Sequence, residues 1–228
     1  MNLNAMLSRK PVIFILSGLI TLAVPLLLVL GSVRLIMTPL FLQFEYTRPG
    51  FPQDFYGLTT DERLRYAPFA LDYLLNAEGI DFLANLDFPD GEPQYNAREL
   101  RHMEDVKVIT QAAFLLAMLL ALITAAAGSA LWRIQRGRLR MAVMNGALLT
   151  LGIIATIVVV AVVNWDFFFT RFHEVFFSSG TWRFEYSDTL IRLFPEQFWF
   201  DAALTIGGMT VLGAVVIAAA MWRWRGDM

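Results

Sequence analysis

Residues 95–132 read YNARELRHMEDVKVITQAAFLLAMLLALITAAAGSALW. The first part is crowded with charge. Arg98, Glu99, Arg101, Glu104, Asp105 and Lys107 surround His102, one of only two histidines in the chain. From Val108 to Trp132 there is no charge at all. About 20 apolar helical residues cross a bilayer core roughly 30 Å thick. Asn96, with Glu99 three positions on, is a capping-box start, and nothing interrupts the pattern from there into the apolar run. The stretch therefore predicts one helix, with charged turns outside the membrane that lead directly into a span. At about 1.5 Å per residue, His102 stands roughly 10 Å before Ile109, near the headgroups.

Three further uncharged apolar runs lie on either side of this one: Pro11–Val33, Met141–Val163 and Ala202–Trp222. The 228 residues are 57% hydrophobic, and the apolar ones come in blocks rather than alternating with polar ones. The fold class expected is an all-α membrane protein, one integral domain over residues 1–228. Its spans fall at about 11–33, 106–132, 141–163 and 198–222. The first run is longer than the core of a cleaved signal peptide, so it reads as a retained helix. Cysteine is absent, which excludes disulfides, thiol nucleophiles and cysteine metal sites.

Basic residues orient the chain. Arg9 and Lys10 precede the first run. Arg133, Arg136, Arg138 and Arg140 fill the link between the second and third, and Arg223 and Arg225 follow the fourth. The only acid in these segments is Asp227. Both ends and the middle link are expected on the cytoplasmic side. The connections over about 34–105 and 164–197, with both histidines, are expected outside, in a mostly helical extracytoplasmic region.

The first outer connection is too long to be a simple link. Its segment LTTDERLRYAPFALDYLLNAEG, residues 58–79, predicts a helix capped by Thr60, split at Pro68 and ended by Gly79. Leu71, Tyr73, Leu74 and Leu75 give its second half an apolar side, for packing on the bundle or lying on lipid. DFPDGEPQ, residues 87–94, reads as a loop. In the second connection, His173 and Glu174 sit among Phe167, Phe168, Phe169, Phe172, Phe176 and Phe177, an aromatic density typical of a membrane interface. Ser178, Ser179 and Gly180 break that element. Asp188 is the expected cap of a short helix through Leu193, and Pro195 fits the first turn of the last span.

Arg98, His102 and Asp105 share a helix face at spacings of four and three. Asp105 is placed to orient the imidazole; Arg98 is placed to pair with Asp105 or to hold substrate. The plain reading of either histidine is an ordinary interfacial side chain. Metal donors exist in His102, Asp105, His173 and Glu174, but no HExxH-type spacing does, so no metal is assigned. Arg34 falls at the end of the first run and reads as either an intramembrane functional residue or one that snorkels to the headgroups. There is no phosphate loop, no serine elbow, no internal repeat and no nucleic-acid footprint.

NARELRHMEDVK (96–107) and RFHEVFFSSGTWRFEYSDTLIRLFPEQFW (171–199), with FYGLTTDERLRYAPFALDYLL (55–75), resemble a bacterial family of four-helix integral membrane proteins. That family, formerly of unknown function, includes the lipoprotein intramolecular transacylase. The resemblance covers nearly the whole chain. It implies a cofactor-independent membrane acyltransferase acting outside the plasma membrane. Its substrate would be a lipoprotein with diacylglyceryl-cysteine at its N-terminus, and its surroundings membrane lipids. The sn-2 acyl chain would move to the cysteine α-amine, giving the lyso-form. The nucleophile then comes with the substrate. His102 would be base and His173 acid or oxyanion donor, or the reverse, with Asp105 and Glu174 as orienting carboxylates. Arg98, Arg101, Arg183 and Arg192 would bind the substrate's polar part, and Phe172 and Phe176 its acyl chain. Two alternatives stand beside this: a phospholipid acyl hydrolase or acyltransferase using the same histidines, and a non-catalytic membrane subunit or chaperone.

Overall fold

The computed structural model describes residues 3–177 and 180–224, with side chains from Lys10 onward. Ser178, Ser179, Arg225, Asp227 and the side chain of Arg9 lie outside the described residues. Among the described residues the chain forms α1 (Leu3–Ile36), α2 (Pro39–Thr47), α3 (Thr60–Leu75), α4 (Asp81–Ala84), α5 (Ala97–Ile134), α6 (Arg136–Val163), α7 (Trp165–Phe176), α8 (Thr189–Leu193) and α9 (Glu196–Arg223). There is no strand among them, only an isolated bridge between Asp87 and Pro93 that closes the expected loop. Helices α1, α5, α6 and α9 are long and apolar enough to cross a membrane, and they contain the four expected spans. α5 runs unbroken through the charged segment into the apolar run.

The chain divides into two compact units. One comprises Met1–Val33, Leu115–Val160 and Ile206–Met228. Its helices meet through small residues. Pro25 lacks the N–H that would bond the Thr21 carbonyl. Gly146 of α6 packs against that carbonyl so closely that an added Cβ would lie 3.0 Å from it and 2.7 Å from Val24 Cβ. A Cβ on Gly213 would lie 2.9 Å from Leu28. Ile20, Val24, Ala127, Leu131 and Ala142 fill the space around this approach. Polar links are few but buried or half-buried: Thr21 Oγ1 donates to Ala142 O at 3.0 Å, and Thr210 Oγ1 to Ser32 Oγ at 3.1 Å.

The other unit comprises Arg34–Phe114 and Ala161–Thr205. Its core gathers Tyr46, Tyr66, Tyr73, Leu83, Tyr95, Met103, Leu193 and Phe198. Charged groups are buried with it. Arg63 is 3% exposed and donates to Arg192 O at 2.8 Å and Pro52 O at 2.7 Å. Glu45 is 2% exposed and shares Arg48 with Asp201 of α9. Arg34 is exposed and donates to Met37 O at 3.3 Å, across the break between α1 and α2.

α3 departs from expectation in three ways. Its cap is Thr59 rather than Thr60: the Thr59 hydroxyl accepts from Glu62 N–H while Glu62 returns the bond in a capping box. Pro68 does not split it. Proline in a helix interior costs about 3 kcal/mol, and burial of Tyr66, Ala67, Ala70, Leu71 and Tyr73 on both sides offsets it. It stops at Leu75, before Gly79, because α5 takes over its last carbonyls. Gln111 Nε2 donates to Leu74 O and Asn76 O, and Lys107 Nζ to Glu78 O and Asn76 Oδ1. Leu71 and Tyr73 thus serve this unit's own core.

Candidate functional site

His102 stands in the second turn of α5, ahead of the expected span at 106–132. The helix can start here because Asn96 N–H donates to Glu99 Oε2 at 2.8 Å and Glu99 N–H to Asn96 Oδ1 at 3.0 Å. The other oxygen of Glu99 accepts from Leu190 N–H at 2.7 Å. One carboxylate, 1% exposed, therefore ties α5 to α8. α8 has the predicted bounds, but the Asp188 side chain does not cap it. That carboxylate is held by Arg98 at 2.7 Å, Asn96 Nδ2 at 3.0 Å and Glu185 N–H at 2.9 Å. Glu99 supplies the missing acceptor instead. Pro195, likewise, sits just before α9 and accepts its first bond from Phe198 N–H at 2.9 Å. These ties hold residues 184–190 beside α5 and set Phe184 against the His102 ring at 5.2 Å.

His173 comes from α7, which Asn164 caps through Phe167 N–H at 2.9 Å. Its Nδ1 lies 2.8 Å from Phe169 O. A carbonyl only accepts, so in the neutral ring Nδ1 carries the hydrogen and Nε2 keeps the lone pair. The imidazole stacks on Trp182 at 4.7 Å and 30°, and touches Phe169 at 4.1 Å. Phe177 contacts both imidazoles, at 5.0 Å from His102 and 5.8 Å from His173. The two rings thus lie within the sum of those distances and share one aromatic enclosure of Phe169, Phe177, Trp182 and Phe184.

Burial among these rings favours the uncharged form. It lowers His102 to about 4, with the neighbouring His173 depressing it further and Asp105 opposing weakly. Burial also lowers His173, against the supporting bond to Phe169 O. His102 Nδ1 and Trp182 Nε1 are buried with no hydrogen-bond partner among the described residues. An open cavity of about 460 Å³ is lined by Ala97, Arg98, Arg101, Gly180 and Thr181.

The residues singled out in the sequence fall into three groups. His102 and His173 converge; Asp105, half-buried one turn along α5, acts on His102 through its charge, and Phe172 meets His173 at 5.5 Å. Phe172 and Phe176, 5.1 Å apart, are exposed beside them. Arg101 is exposed on the cavity wall, and Arg183 lies over the Trp182 ring at 5.2 Å. Arg98 lines the same cavity and pairs with Asp188 rather than Asp105. The other two are engaged elsewhere. Arg192 pairs with Asp54 at 3.0 Å and donates to Tyr56 O at 3.2 Å. Glu174 pairs with Arg171 at 2.8 Å on the exposed side of α7, since neighbouring helical residues point about 100° apart. Among the described residues, no three His, Asp or Glu side chains gather as a metal would require. Sequence reasoning missed Glu99 as a tie between helices, and Trp182 and Phe184 as walls. It assigns the phenylalanines to the interface and to the acyl groove, and the structure sets Phe169 and Phe177 against the imidazoles.

The family described as lipoprotein intramolecular transacylase Lit matches residues 18–199. A protein of Aquifex aeolicus (strain VF5), described as uncharacterized, is 32% identical over 187 residues, 82% of this chain and 83% of that protein. The membrane integral lipoprotein intramolecular transacylase Lit from Bacillus cereus shares the fold at a TM-score of 0.77 and 19% identity, over 93% of this chain and 95% of that one. A variant of it with one histidine replaced by arginine gives 0.68 at 17% identity, over 96% and 94%.

Proposed function

The chain belongs to the lipoprotein intramolecular transacylase family and is a multi-pass membrane enzyme of that kind, and from this premise we propose that His102 and His173 carry its reaction. The observation behind the proposal is that the chain's two histidines, 71 positions apart in sequence, share one buried aromatic enclosure through Phe177. The substrate is a lipoprotein whose N-terminal cysteine bears diacylglycerol on sulfur. Its free α-amine attacks the sn-2 ester carbon. The tetrahedral intermediate collapses with cleavage of the bond to the glycerol oxygen, so one proton passes overall from nitrogen to oxygen.

His173 is the better base. Its Nδ1–H is fixed on Phe169 O, which leaves Nε2 free to accept the amine proton and return it to the leaving oxygen. His102, held neutral, is the hydrogen-bonding partner at the reacting groups. Arg101 and Arg183 face the polar part of the substrate, and Phe172 and Phe176 its acyl chain. The whole chain acts as one integral membrane domain in the plasma membrane. The basic links near residues 10, 133–140 and 223 face the cytoplasm. Segments 34–105 and 164–197, with the site, face outward.

Incubation of the purified protein with a synthetic diacylated lipopeptide tests this. Tandem mass spectrometry should find one acyl chain on the cysteine amine and a free hydroxyl on glycerol. Release of free fatty acid, or acyl transfer to or from phospholipid alone, would replace this reading with the lipid hydrolase or acyltransferase. Full activity in both His102→Ala and His173→Ala would remove the histidines from the reaction.

A further inference from the structure

Among the described residues two buried indole N–H groups have no acceptor, those of Trp165 and Trp182, and the second lies on His173. The Trp182 side chain is 9% exposed, and its Nε1 is fully shielded with no acceptor among the described residues. An indole nitrogen only donates. Leaving such a donor unpaired costs about 1–3 kcal/mol, so its place against a histidine calls for an explanation. The ring is not there as packing filler alone, since phenylalanine, used throughout this enclosure, would fill apolar space without that cost. The indole lies face to face with the imidazole at 4.7 Å and 30°, so its N–H and the ring nitrogens of His173 lie in adjacent layers of one stack. Phe169 at 6.2 Å braces the indole, and the Arg183 guanidinium lies over its ring, 5.2 Å from the centroid.

We propose that the Trp182 indole N–H is the donor that receives the substrate's ester carbonyl and holds the oxyanion formed when the amine attacks. This rests on the histidine-centred reaction above and deepens it. As nitrogen bonds to the ester carbon, the carbonyl π electrons move onto oxygen, which accepts from Nε1–H. On collapse those electrons re-form the carbonyl and the bond to the glycerol oxygen breaks. The histidine proton goes to that oxygen. Trp182 neither gains nor loses a proton. A donor preorganised in a water-excluded site acts where charge develops, and removal of one such donor typically lowers kcat by about 10²–10³-fold.

Two replacements separate the N–H from the ring. Trp182→Phe removes the donor and part of the bulk. Incorporation of 3-benzothienylalanine at position 182 puts sulfur in place of N–H with the bicyclic shape kept. With the diacylated lipopeptide as substrate, both are expected to lose about 10²–10³-fold in kcat with KM changed less than about threefold. Normal turnover in the benzothienyl protein would overturn the proposal and leave Trp182 a packing residue. In the unmodified enzyme, a diacylated lipopeptide with an acetylated amine binds but cannot react. Its addition should move the Trp182 indole proton resonance downfield; an unmoved resonance overturns the proposal as well. His102→Ala and His173→Ala run alongside. If they retain activity the histidine reading has failed, whereas failure of the Trp182 arm alone leaves that reading intact.

Discussion

The two compact units of this chain are held together by opposite means. In the unit of α1, α6 and the later parts of α5 and α9, helices approach through glycine and alanine, and side-chain hydrogen bonds between them are few. Where lipid replaces water there is little hydrophobic drive between helices, so close contact and an occasional buried polar link do the holding. In the unit that carries the histidines, buried ions do much of the tying: Glu45 with Arg48, Arg192 with Asp54, Arg63 on two carbonyls, Glu99 between α5 and α8. Such groups add little net stability compared with apolar packing, but removing one partner leaves the other buried and uncompensated. The first unit tolerates polar change poorly and needs closeness. The second uses charge to hold an apolar enclosure in register around two imidazoles.

The largest effect expected is on chemistry without loss of fold. His173→Ala and His102→Ala should each lower acyl migration by about 10²–10⁴-fold, the usual contribution of an acid–base group. Their thermal transitions in detergent should stay near that of the parent. A drop in stability that parallels the drop in rate would show that these rings support the fold instead.

Next come substitutions that break each unit by its own weakness. Gly146→Leu forces a side chain where even a Cβ meets Val24 at 2.7 Å, and overpacking of this kind costs about 1–3 kcal/mol or more. Gly152→Ala, with nothing within 4 Å of the added Cβ, should leave the transition in place. Glu99→Ala strands the buried N–H of Leu190 and should destabilise by about 1–3 kcal/mol. It should also slow turnover, because Phe184 loses its support against His102. A Glu99→Ala protein with full activity would uncouple the charge network from the site.

The pH profile is a finer probe. Both imidazoles titrate below the ordinary histidine value, His102 near 4, so both stay neutral through the range just under 7. The rate should then fall about tenfold per pH unit below the substrate amine's pKa, about 8 for an ordinary α-amine. A second proton should enter only below 6.5, the ordinary histidine value. A slope of two in log kcat/KM already above pH 6.5 would show that the enclosure does not exclude water as described. The smallest effects fall outside the enclosure. Asp105→Asn should be milder than either histidine change, and Glu174→Gln, an exposed pair with Arg171, should change stability by less than about 0.5 kcal/mol and rate little.

Legibility in the sequence followed the range of the forces involved. The Asn96–Glu99 box spans three residues, and it was readable because both partners sit in one turn. The cap of α3 falls on Thr59 and not Thr60, since two threonines in a row offer the same chemistry. Pro68 misled because its local penalty is real, while the core contacts that outweigh it come from elsewhere in the chain. Arg98 and Asp105 share a face by helical spacing, yet Asp188, 90 residues away, takes the guanidinium.

What the sequence by itself determined was the set of four apolar blocks, the unbroken passage from charged segment to span in α5, and the candidacy of the only two histidines. Block length and helical period are local quantities, set by bilayer thickness and by hydrogen bonds four residues apart. Only the tertiary structure decided that Phe177 stands against both imidazoles, that Glu99 caps a helix 91 residues on, and that Trp182 lies on His173 with its N–H unpaired among the described residues. Aromatic rings and buried carboxylates carry no period that names their partners. Their contacts are fixed when distant segments are brought together, and only then is it decided which of the phenylalanines stand against the imidazoles.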